Sequence, residues 1–282
     1  MRNSFYHLCS AFFAFVISYS IALSTGVFII KNAVLAIFFI QWILFIPAYK
    51  FQTEKFFDLA GSLTYLIITN YVFIHSCIRN EMNLGNLFLC LLIVIWAVRL
   101  GYFLFSRVLK NGEDKRFKLI KVSPTKFFMT WTLQGMWISI CSLCALTAIS
   151  SETGVQINYL FYLGFIFFIF GFLIEIIADI QKNKFRSNPQ NKNKFINSGL
   201  WYYSRHPNYL GEIILWLGIS VMSFSSLDGY QYFTLISPIF SYCLLVYISG
   251  VNILEKNGQK KWGHLKDYQE YIKNTPKLLF DK

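Results

Sequence analysis

Long runs of apolar side chains leave this chain few folds to choose from. Eight stretches carry little or no charge: Phe5–Ile30, Ala33–Tyr49, Leu59–Ile78, Asn86–Phe105, Phe127–Ile149, Ile157–Ala178, Leu210–Leu227 and Tyr232–Leu254. About 20 apolar residues in a helix cross the hydrocarbon core of a bilayer. Ala33–Tyr49 and Leu210–Leu227 fall short of that and read as tilted or re-entrant. The first stretch is too long for the apolar region of a secretory signal and lacks a clear cleavage site, so it reads as a first span. The expected fold is all-α: a multi-pass transmembrane helical bundle of about 7–8 membrane helices. Charged residues make up 14% of the chain, where a soluble domain holds roughly 25%.

The bases set an orientation. With the N-terminus on the cytosolic side, only Lys31 and Arg79 of the 26 Lys and Arg fall in segments on the opposite side, and Arg99 lies within a span. So lopsided a split follows the positive-inside rule. The net charge of +12 therefore reads as topology, with no nucleic acid as partner, and it leaves bases to hold an anionic cofactor. Two long polar loops, Arg107–Lys126 and Gln181–Pro207, and the tail from Glu255 onward fall on one expected cytosolic face. A polar ligand meets the protein there, and these loops are expected to form a cofactor site.

Cys141 and Cys144 form a CxxC inside an apolar stretch with no second pair, which reads as thiols packed between helices. No metal-ligand spacing appears, and no GxGxxG follows a strand, so a Rossmann domain is not expected. Ionisable groups within spans are costly and mark function by default. Glu175 and Asp179 stand four residues apart and share a helical face; the alternative is a helix end reaching the interface, paired to Lys182 and Arg186.

The densest polar run is Gly199-Leu-Trp-Tyr-Tyr-Ser-Arg-His-Pro-Asn-Tyr-Leu-Gly-Glu212. Pro207 disfavours helix at His206 and suits a first helical turn. Asn208 then sits at a helix start, where free N–H groups and positive potential suit phosphate or carboxylate. Arg205 adds a bidentate donor for anions. The bland alternative is an interfacial loop with aromatic belt residues.

That run resembles the C-terminal domain shared by steroid 5-alpha-reductases and a broader branch of uncharacterised multi-pass membrane proteins. Phe57-Asp-Leu-Ala-Gly-Ser-Leu-Thr-Tyr65, Arg99-Leu-Gly-Tyr102, Asn111-Gly-Glu-Asp-Lys-Arg-Phe117 and Glu175-Ile-Ile-Ala-Asp179-Gln-Lys-Asn-Lys-Phe185 extend the likeness, and Leu254-Glu255 and the Trp262, Tyr268, Tyr271 tail complete it. The resemblance divides the chain into N-terminal membrane helices (1–50) and a reductase-like membrane domain (51–282). It implies NADPH held from the cytosolic side and hydride transfer to a carbon–carbon double bond of a lipophilic steroid, polyprenyl or fatty enoyl substrate. The cofactor residues it implies in the first half are Arg99, Arg107, Asn111 and Arg116. In the second half they are Glu175, Asp179, Lys184, Tyr203, Arg205, His206, Asn208 and Glu212. Asp179, Asn208 and Glu212 match the steroid enzymes, whereas Glu175 replaces an Asn and the SRHP preceding Asn208 resembles the broader branch.

By the same resemblance Glu54 is the candidate catalytic acid and Tyr102 the candidate tyrosine, with Tyr65 as its substitute. Hydride addition to an enone builds negative charge on its oxygen, which a positioned O–H stabilises. The other reading of Glu54 is a surface carboxylate beside Lys55. Partners are the substrate and membrane lipids, and the location is the endoplasmic reticulum membrane in a eukaryote. The rival is a methyltransferase of the isoprenylcysteine carboxyl methyltransferase type, which carries a similar RHPxYxG run and a Glu like Glu255 but uses S-adenosylmethionine. A transporter or scaffold is the non-enzymatic reading; no internal repeat supports it.

Overall fold

Among the described residues, eight helices are long and apolar enough to cross a membrane. The structure, a computed structural model, describes residues 2–79, 82–248 and 250–279, apart from the side chains of Arg2, Asn111 and Lys115. The regular structure of the described residues is all helix, with no strand. They divide into two compact units: one of residues 1–161 and 222–237, the other of 162–221 and 238–282.

The first unit contains α1 (Arg2–Ser24), α2 (Phe28–Lys50), α3 (Phe57–Arg79), α4 (Leu84–Asn111) and α5 (Pro124–Ile149). Its centre is α5. In that helix 83% of the apolar window is buried inside the protein, against 22% in α1. The residues explain this. Ser139, Cys141, Ser142, Cys144, Ala145, Thr147 and Ala148 are small and fully or nearly fully buried, and small side chains let membrane helices approach. Two of the hydroxyls bond back one turn: Ser142 donates to the Ile138 carbonyl and Thr147 to the Leu143 carbonyl, each at 2.7 Å. At the far end of this unit Asn86 acts as a clamp. Its amide donates to Ser76 Oγ at 2.9 Å and to the Ile149 carbonyl at 3.1 Å, and its oxygen accepts the Val155 N–H at 2.8 Å. One side chain thus ties α3, α4 and the exit of α5.

Span limits differ from the sequence expectation in places. The stretch Phe5–Ile30 is cut at Gly26, whose φ of +70° ends the first turn and starts a second helix. That helix is α2, a full 23 residues and no short segment. Lys31 is absorbed into it, with Nζ 5.4 Å from the Phe28 ring. An amphipathic cation at a membrane edge is tolerated in this way.

In the second unit α6 (Tyr159–Ser187) and α8 (Pro207–Ser223) touch backbone to backbone. A Cβ added at Gly211 would lie 2.5 Å from the Gly171 carbonyl oxygen and 2.6 Å from the Glu175 nitrogen. One added at Gly218 would lie 2.5 Å from the Gly164 oxygen and from the Phe168 nitrogen. The glycines recur every seven residues on each helix, two turns apart, so they stack on one face. Between the two helices lies the short α7 (Leu200–Tyr203). The last apolar stretch is not one rod: it runs as a 3₁₀ turn to Ile236, α9 (Ser237–Cys243), a π-helical turn Leu244–Ile248, and α10 (Val251–Trp262). Gly250 separates the last two, where a Cβ would meet the Leu245 carbonyl and the Tyr209 ring. The chain then turns into α11 (Lys266–Asn274).

Candidate functional site

Pro207 is the first residue of α8 and lacks the N–H that a helix leaves unbonded there. The two residues before it lie outside any helix and are held by the tail. Arg205 N–H donates to the Pro276 carbonyl at 3.0 Å and His206 N–H to that of Lys277 at 3.1 Å. Ser204 Oγ also donates to Lys277, at 3.1 Å, and Thr275 Oγ1 to the Tyr202 carbonyl at 3.2 Å. The tail is itself anchored: Leu278 is buried with Val246 and Val251, and Tyr271 donates to the Trp201 carbonyl at 2.5 Å. Trp201 in turn donates to the Ala178 carbonyl at 3.1 Å and carries the Lys182 ammonium 4.3 Å from its ring. The Arg-His pair is therefore built by three elements of different sequence position.

Both side chains face one carboxylate. Glu255 on α10 takes His206 Nε2 at 2.8 Å on one oxygen and Arg205 Nη1 at 2.9 Å on the other. The arginine contact is an ion pair whose angle falls short of a hydrogen bond. Arg205 and His206 are 6% and 5% exposed. Arg205 Nε and His206 Nδ1 are buried and have no hydrogen-bond partner among the described residues. A buried donor left unmade is costly, so Arg205 Nε has capacity for an acceptor from a ligand. Asn208 is half-buried in the first turn of α8.

Burial pulls the His206 pKa down, against the opposing pull of Glu255. Folding then favours the neutral ring, and the unfolded chain binds the proton more readily. Stability from this group is present above the ordinary histidine value of about 6.5 and is lost as pH falls below it. The thermal midpoint in micelles is expected to drop between pH 7 and 5, and His206→Gln is expected to flatten that drop.

Glu175, Asp179 and Glu212 are each buried, on α6 and α8. The glycine contact places the Gly211 backbone against the Glu175 backbone, so Glu175 lies at the seam of the two helices, with Glu212 next in the chain to Gly211 and Asp179 one turn on along α6. Lys184 and Tyr203 stand apart from this seam by burial, since both are exposed.

The first unit holds a second polar cluster. Glu54 is 3% exposed. Its carboxylate accepts the Asp114 N–H at 3.0 Å on one oxygen and the Lys121 ammonium at 2.6 Å on the other. It is not a surface group beside Lys55. Arg116 is bonded to Asp114 and lies 3.8 Å from Asp58. Burial alone would raise the Asp114 pKa, but Arg116, with Arg107 beyond it, holds it below the usual carboxylate range. Phe117 plugs the same loop into a core of Ala48, Ala60, Phe127 and Trp131. Arg99 and Arg107 both lie over the Phe103 ring, at 5.3 and 5.9 Å. Asn111 ends α4, and its side chain lies outside the described residues. Tyr102 is 76% exposed, while Tyr65 is 1% exposed between the Trp96 and Trp137 rings.

Residues 13–275 match the model of a family described as a protein of unknown function, DUF1295. The chain belongs to the DUF1295 family. Two curated proteins resemble parts of this DUF1295 chain. A probable O-methyltransferase, ustE, of Ustilaginoidea virens is 33% identical over 114 residues, 35% of this chain and 40% of that protein. A probable 7-dehydrocholesterol reductase of Acanthamoeba polyphaga mimivirus is 33% identical over 135 residues, 41% of this chain and 28% of that protein. The DUF1295 chain thus spans less than half the length of either relative. No solved structure matches it.

Sequence reasoning placed Glu255 in the resemblance but not in the site, and it missed the strap formed by residues 275–277. That strap works through backbone atoms, which leave no side-chain signature; only the aromatic tail Trp262, Tyr268 and Tyr271 hinted at it. Phe195 packs against all three rings.

Proposed function

We propose that this DUF1295 protein is a membrane-embedded reductase that uses NADPH to saturate a carbon–carbon double bond of a lipophilic substrate. The observation that carries the reading is a nearly fully buried arginine, Arg205, with an unmet Nε–H beside the head of a membrane helix. The residues fit an anionic, phosphorylated cofactor: Arg205 supplies a buried donor, Asn208 a half-buried amide, and the first turn of α8 its free N–H groups. Asp179, Glu175 and Glu212 offer acceptors for the hydroxyl and amide groups of the same molecule. NADPH, when bound, supplies the hydride. The chain's work is to bind it, to orient it and to exclude water. A fatty partner is supported by the eight apolar helices among the described residues. The asymmetry of the bases puts the polar loops on the cytosolic side, and the endoplasmic reticulum is the membrane proposed for a eukaryotic source. In the first unit Glu54 acts as a positioning residue. Both of its oxygens hold the loop that carries Asp114 and Lys121.

Transfer of a methyl group from S-adenosylmethionine is the second reading, and Glu255 favours it. That carboxylate, 23% exposed, suits the ammonium and sulfonium charges of that cofactor, and one relative is named a methyltransferase. Thermal shift in micelles separates the two. NADPH is expected to raise the midpoint and S-adenosylmethionine to leave it unmoved; the reverse pattern rejects the reductase.

A further inference from the structure

Polar atoms without partners are not confined to the site around Arg205. A seam inside the first unit, where α2, α3 and α5 meet, holds several. Trp131 Nε1, Gln134 Oε1, Gln41 Oε1 and Trp137 Nε1 are all buried and have no hydrogen-bond partner among the described residues. Trp131 and Gln41 are 0% exposed and Gln134 is 7% exposed. Inside a membrane bundle such atoms cannot fall back on bulk water, so each is costly unless something meets it.

The seam is contiguous. Trp131 and Gln134 stand one turn apart on α5 and face the same stretch of α3. The Trp131 ring lies 5.1 Å from that of Phe57, and Gln134 Nε2 donates to the Phe57 carbonyl at 3.0 Å. Gly61 makes room for this amide, since a Cβ there would collide with it. One turn further, Gln41 Nε2 donates to Thr64 Oγ1 at 2.8 Å, and a Cβ on Gly135 would touch the Gln41 side chain at 3.5 Å. Trp137 follows, its ring 5.4 Å from that of Tyr65. Each glutamine thus spends one amide N–H on protein and keeps its oxygen unspent, while both indoles keep a donor.

The seam therefore holds both unmet donors and unmet acceptors, with the buried Thr69 and Ser139 hydroxyls of α3 and α5 also without a hydrogen-bond partner among the described residues, and that mixture selects a chemistry. A hydroxyl donates one hydrogen bond and accepts others, so it meets an indole N–H and an amide oxygen at once. A ketone only accepts, and a hydrocarbon does neither. We infer that this seam recognises the hydroxyl of a lipid alcohol, accepting its proton at Gln134 or Gln41 and donating to its oxygen from Trp131 or Trp137. The inference deepens the substrate side of the proposed function. It is tested by binding without NADPH, so it fails or stands apart from the chemistry.

The experiment uses the full chain in nanodiscs and two matched pairs of probes. One pair is cholesterol and its 3-deoxy hydrocarbon, the other geranylgeraniol and the corresponding hydrocarbon. In at least one pair the alcohol is expected to bind about tenfold tighter or more, the worth of one or two net hydrogen bonds. Trp131→Phe and Trp137→Phe each remove an N–H that bonds to no protein group, so neither is expected to lower the thermal midpoint through a lost hydrogen bond. Loss of the alcohol preference in either variant, with the midpoint retained, supports the seam. Equal binding of alcohol and hydrocarbon in both pairs, binding of neither, or full preference in both variants overturns it.

Discussion

Arg205→Met is expected to abolish cofactor binding and to unsettle the fold, and the two losses can be pulled apart. Arg205 and Glu255 are an ion pair at 2.9 Å, with the arginine side chain 5% and the glutamate 23% exposed. Removing one partner of a buried pair leaves the other charge stranded, at about 3–5 kcal/mol. A single variant therefore says little about ligand. The double variant Arg205→Met, Glu255→Leu removes both charges, and such replacements are commonly neutral for stability. His206 then loses its acceptor as well, which caps the recovery. The expected result is a midpoint near that of the unaltered protein for the double variant, with no recovery of NADPH binding. If the double variant bound NADPH as the unaltered protein does, Arg205 would be a structural ion-pair partner and nothing more.

Gly211→Val is expected to have the largest effect on folding. The Cβ meets backbone on two sides, at 2.5 Å from the Gly171 oxygen and 2.6 Å from the Glu175 nitrogen. Side chains can rotate away from such a contact; helix backbones cannot, so α6 and α8 must separate. Overpacking a soluble core costs about 1–3 kcal/mol and sometimes more. Between membrane helices no hydrophobic gain offsets it, because association there rests on close van der Waals packing. The expected outcome is loss of monodisperse protein in detergent, measured by size-exclusion chromatography. Leu217→Val, on the same helix at a position 40% exposed, is expected to elute unchanged. Gly211→Ala probes the same seam more gently. Any folded protein it yields should show weakened NADPH binding, because the displaced backbone is that of Glu175.

Much of the fold was legible because lipid imposes one rule, that an apolar helix must be long enough to cross. All eight spans follow from it. Their ends did not. The sequence placed Lys31 between the first two spans, yet it lies within α2. Gly26 ended the first span where hydropathy saw only continuity. The break at Gly250 was equally silent, because its reason is spatial: a Cβ there would meet the Leu245 carbonyl and the Tyr209 ring. At the site, Pro207 announced a helix start and Arg205 an anion donor. The glycine spacing on α6 and α8 was present in the sequence but has meaning only once the helices are known to be antiparallel partners. Glu54 shows the limit most plainly: its partners, Lys121 and the Asp114 N–H, lie 60 and more residues away, and no local pattern names them.

Isotope transfer tests the central claim most directly. The protein in nanodiscs would be incubated with a lipid extract containing 7-dehydrocholesterol, in parallel with NADPH deuterated at its transferable position and with methyl-deuterated S-adenosylmethionine, and the lipids read by mass spectrometry. The account predicts a lipid that has gained one deuterium from NADPH on one carbon and a proton from the medium on its neighbour. Transfer of the labelled methyl group, or no deuterium from NADPH above empty nanodiscs, would contradict it.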